Sequence, residues 1–142
     1  MRLWSRLTCA PARPRGDSPG DARAVLLAVV AEARPLQEAA AELLDEIRHE
    51  GPLAELAPRG GPVMTRFLEL RRRLPITDEP DLAGLVACLD QVFHHHAYLL
   101  NVALDTLAVS WRSERVREQL RLLDGLGEPG QRLRDIHALL LE

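Results

Sequence analysis

Lysine is missing from this sequence, so all 18 basic residues are arginine. Alanine and leucine are abundant, and together these biases fit a GC-rich bacterial coding sequence. Arginine by itself therefore carries little chemical information here. Cysteine is nearly absent too. Cys9 and Cys88 cannot build a disulfide framework, which suits a reducing cytoplasm. Aromatic residues make up 4% of the chain, too few to line a haem pocket. Positive charge does not exceed negative. With a net charge of −3, no global field draws the protein to nucleic acid or to anionic lipid.

Other absences bear on chemistry. No apolar run approaches the roughly 18 residues that a membrane span needs. The apolar run 24–31 follows Arg2, Arg6, Arg13 and Arg15 and ends at a small-x-small triplet, Ala31-Glu32-Ala33, as a signal peptide would. Against that, Asp17 and Asp21 precede the run, and its periodicity continues past the triplet. There is no glycine-rich phosphate loop, Cys-x-x-Cys pair or nucleophile elbow. Cys88 and His95 lie two turns apart on one expected helix, about 10 Å and beyond hydrogen-bond reach. Neither catalysis nor a cofactor is expected.

What the chain does have is helical periodicity. Leu82, Leu85, Leu89, Val92, His96, Leu99, Ala103, Leu107 and Ser110 advance by threes and fours along one side of a helix. Val86, Phe93, Leu100 and Leu104 widen that side to an arc of about 120° or more, so this helix needs at least two neighbours. Asp78 is its expected N-cap and Pro80 occupies its first turn. Ala22, Leu26, Val29, Ala33, Leu36, Ala40, Leu43 and Ile47 form a second seam, with Pro35 on the outer side.

These patterns predict an all-α, single-domain bundle of four or five helices over residues 21–142, after a disordered tail at 1–20. Two long antiparallel helices, 21–50 (kinked at Pro35) and 78–110, are joined by shorter ones at 62–74, 113–124 and 130–141. Pro58, Gly60 and Gly61 mark 53–61 as a connector.

Candidate ligands centre on histidine. Adjacent helical residues point about 100° apart, so His94, His95 and His96 cannot share one metal. Asp90 and His94 are spaced by one turn, as metal ligands or an oriented base would be, but a solvated polar face has the same spacing. His96 is different, because it sits at the centre of the apolar arc. A buried imidazole needs partners for a donor and an acceptor, and His137 or His49 could approach it. Arg66, Arg71, Arg72 and Arg73 crowd one short helix and form a candidate interaction surface. No metal site is complete. The expected role is a non-catalytic interaction module with a protein partner or a second copy of itself. A small-ligand or metal-binding bundle using His96 is the alternative.

Overall fold

The computed structural model describes residues 19–123 and 125–142; the tail expected to be disordered lies outside them up to residue 18. Five helices and no strand occur among the described residues: α1 (Pro19–Arg48), α2 (Leu53–Arg72), α3 (Pro80–Val109), α4 (Glu114–Arg121) and α5 (Gly127–Leu141). A single 3-10 turn, Ser110–Arg112, separates α3 from α4. The chain is an all-α bundle. No helix of the described residues is long and apolar enough to cross a membrane.

Helix α3 is the central rod. Leu82, Leu89, Val92, Phe93, His96, Ala97, Leu100, Ala103, Leu104 and Leu107 are all buried along it, more than one neighbour could cover. Helices α1, α2, α4 and α5 all pack on it. The helix begins after Glu79 and not, as expected, at Asp78, and no side chain caps it. Thr77 Oγ1 instead accepts from the Glu79 backbone N–H at 3.2 Å.

Helix α1 runs unbroken through Pro35, whose ring is exposed. A missing N–H on the solvent side costs the helix less than one facing the core, because water can satisfy the freed carbonyl. Every seam position expected for α1 is buried except Leu36, which is partly covered.

Two features differ from the sequence reading, and they share a cause. Helix α2 starts at Leu53 and absorbs the stretch expected to be a connector, prolines and glycines included. Pro58 and Pro62 are four residues apart, so both fall on the exposed face. Leu56, Gly60, Phe67 and Leu70 meanwhile fill the inner face, and this packing overrides local propensity. At 20 residues α2 spans about 30 Å and returns the chain along the bundle.

Consequently α1 and α3 run parallel, not antiparallel. Gln37 of α1 meets His96 of α3, and further along both helices Leu43 and Leu104 flank the same glycine, Gly60. At Gly60 an added Cβ would lie 2.5 Å from Leu104 Cδ1, so the glycine lets three helices approach closely. Helix α5 then returns antiparallel to α1. Gln37 reaches its first turn, while Arg23 donates to the Leu140 carbonyl near its end, at 3.0 Å.

Candidate functional site

The buried polar residues of this bundle are few, and two of them touch. His96 is 0% exposed and Gln37 is 2% exposed, in a core otherwise built from aliphatic and phenyl side chains. Gln37 comes from the inner face of α1. Its amide Nε2 donates to the Gly130 carbonyl in the first turn of α5 at 2.7 Å. The same nitrogen lies 3.4 Å from His96 Nε2. Since an amide nitrogen can only donate, His96 Nε2 accepts and the proton sits on Nδ1. Gln37 Oε1 in turn accepts from Arg34 at the surface. A polar thread thus runs from solvent through α1 to the centre of the rod.

His96 Nδ1 has no hydrogen-bond partner of good geometry. Phe67 presents itself edge-to-face, with ring centroids 5.2 Å apart, and Phe93 packs behind it at 6.0 Å. Burial in these surroundings lowers the His96 pKa from 6.5 to about 4, with help from the charges of His95 and Arg134. The Val92 carbonyl, one turn back, pulls the other way. His96 is therefore neutral at pH 7.

The remaining candidates do not converge on it. His137 lies seven residues beyond Gly130, about 10 Å along α5. His49 is exposed and its ring contacts the Asp45 carbonyl at 2.7 Å. Among the described residues, no three His, Cys, Asp or Glu side chains gather as a metal site would require.

Asp90 and His94 do share a face of α3, beside a cleft of about 250 Å³. An arginine already occupies them. Arg71 Nε and Nη2 lie 3.1 and 3.3 Å from the two Asp90 oxygens, a forked pair, and Nη1 lies 3.2 Å from His94 Nδ1. This joins α2 to α3. The Arg71 side chain is 10% exposed and that of Asp90 26%, so the pair is partly removed from water. Asp90→Ala is expected to cost about 2 kcal/mol, below the full penalty for orphaning a buried charge. Arg71→Met with Asp90→Leu should recover most of it in urea denaturation. A double variant as unstable as the single one would rule out that account.

The other arginines expected to form a surface cluster are divided among partners. Arg66 and Arg73 both pair with Glu32 of α1, Arg66 at 2.9 Å, and Arg66 also reaches Glu69. Arg72 is exposed. Arg66 and Arg73 thus tie α2 to α1.

Gln37 was not among the candidates, although the signal was present. It falls four residues after Ala33 and three before Ala40, on the apolar seam of α1. A polar residue in that register must find a partner inside.

No family model matches the chain, and no curated protein or solved structure matches it either.

Proposed function

We propose that this bundle is a non-catalytic interaction module that docks an acidic, apolar segment of another protein at the corner between α3 and α4. One observation carries the reading: Trp111 is 70% exposed and Leu122 79%, and they bracket an eight-residue helix that buries only Leu120. The heptad seams are consumed inside the bundle, so docking must use what remains outside.

The chemistry of the corner favours an acidic partner. Arg112 lies over the Trp111 ring, 5.2 Å from its centroid. Neither Arg112 nor Arg115 has a carboxylate partner among the described residues, whereas Arg117 and Arg121 are paired with Glu50 and Glu114. An exposed tryptophan beside uncompensated guanidinium groups is the side-chain chemistry enriched at binding hot spots. We read the module as cytoplasmic, which the free thiol of Cys88 supports, and the net charge of −3 speaks against nucleic acid or a membrane surface as the partner.

A photo-crosslinking residue at position 111, expressed in the native host, should capture one specific protein. Arg112→Glu with Arg115→Glu should abolish that adduct. Once the partner is purified, Trp111→Ala should weaken binding about tenfold or more. No adduct, or one indifferent to charge reversal, would sink the reading. An adduct between two copies of this chain would replace it with self-association.

A further inference from the structure

A second cleft, of about 230 Å³, lies between α1 and the start of α5 and is lined by Arg34, Gln37, Glu38, Leu126 and Arg134. Its two guanidinium groups come from different helices. Arg34 donates to Gln37 Oε1, and Arg134 donates to Gln131 Oε1 through Nε and Nη2 at 3.2 and 2.8 Å. Both partners are neutral amides. Most arginines elsewhere in the bundle sit within 4 Å of a carboxylate, but among the described residues these two do not. Glu38 contributes the one carboxylate of the lining and pairs with neither.

Two cations facing one cleft repel each other, and a shared counter-ion relieves that repulsion. Neutral amide partners leave both charges uncompensated, while each guanidinium keeps further N–H donors. The floor is the buried amide of Gln37, whose N–H groups are taken by the Gly130 carbonyl and His96, so the anion's donors must come from the two arginines. The start of α5 adds the positive end of its dipole, with Gly127 at the rim. The volume falls short of the several hundred Å³ that a drug-sized ligand fills. The site is built for something small.

We propose that this α1/α5 cleft binds a small oxyanion, a phosphate or carboxylate group, held between Arg34 and Arg134. The corner docking surface is separate and does not depend on it.

The test is a titration of the full chain with inorganic phosphate, and in parallel with succinate, against sodium chloride at constant ionic strength. It is read by ¹⁵N–¹H spectra and thermal shift. The expected result is a saturable shift of the Gln37 side-chain amide and the Gly127 backbone amide, with a rise in Tm for at least one of the two anions. The stronger anion identifies the headgroup. Arg134→Gln, an exposed change, should weaken binding about tenfold or more, since a charge-assisted contact is lost. Arg132→Gln, on a neighbouring exposed arginine paired with Glu128, should leave the affinity unchanged. No saturable response to either anion, or one that survives Arg134→Gln, would overturn the proposal.

Discussion

Taking the protein from pH 7 to pH 4 should remove about 3 kcal/mol of stability through His96 alone. The folded chain holds this imidazole neutral with its pKa lowered to about 4, chiefly because burial disfavours the charged ring. In the unfolded chain it titrates near its ordinary 6.5. Between those values the unfolded state takes up a proton that the folded state refuses. The contribution is therefore complete above about pH 6.5 and lost as pH falls through about 4. Carboxylates titrate in the lower part of this window, so the measurement is a difference between wild type and His96→Leu. Urea denaturation at half-unit steps should show the wild type losing stability faster, with the two curves separating from about pH 6.5 downward. At pH 7 the leucine variant should match or exceed wild type. It removes the unpartnered Nδ1, and Gln37 keeps its bond to Gly130. Parallel curves would mean that His96 is hydrated in the folded protein.

Gly130→Val should cost about 3 kcal/mol, combining overpacking with the loss of a buried hydrogen bond. A Cβ at this position would lie 2.9 Å from Leu126 Cβ and 3.1 Å from Gln37 Nε2. Leu126 Cβ is fixed to the backbone just before the helix, so it cannot swing aside as the end of a long side chain would. Gln37 must then retreat, and its 2.7 Å bond to the Gly130 carbonyl breaks. The better helix propensity of valine returns only a few tenths of a kcal/mol. Urea denaturation gives the value, and the Gln37 side-chain amide resonance should lose its hydrogen-bonded shift. A loss below about 1 kcal/mol would show that α5 can move outward freely at this level.

These two expectations also mark what the sequence could and could not disclose. The central rod was readable because a single helical period runs uninterrupted from Leu82 to Ser110, and its caps matter little to it. His96 stood out for the same reason, as the one imidazole within an aliphatic arc. Helix α2 departs from its local pattern because Pro58, Gly60, Gly61 and Pro62 carry strong breaking signals, and only the inward packing of Leu56, Gly60 and Phe67 outweighs them. The longer α2 also makes α1 and α3 parallel where a short one would leave them antiparallel, since direction depends on how far the intervening helix travels. Arg71 could not be assigned to Asp90 and His94 from spacing, because the contact joins two helices. The two arginines of the α1/α5 cleft stand 100 residues apart in the chain, so no local pattern joins them.

Helix α5 packs against α1 and α3 and is joined to the rest through a turn in which Gly125 and Gly127 both adopt positive φ. Its opening turn supplies the carbonyl that anchors Gln37 beside His96. Water therefore gains the imidazole at least expense when this one segment lifts away while α1, α2 and α3 stay packed. Acid, by charging the imidazole once it is wetted, favours that partly opened species over the closed one.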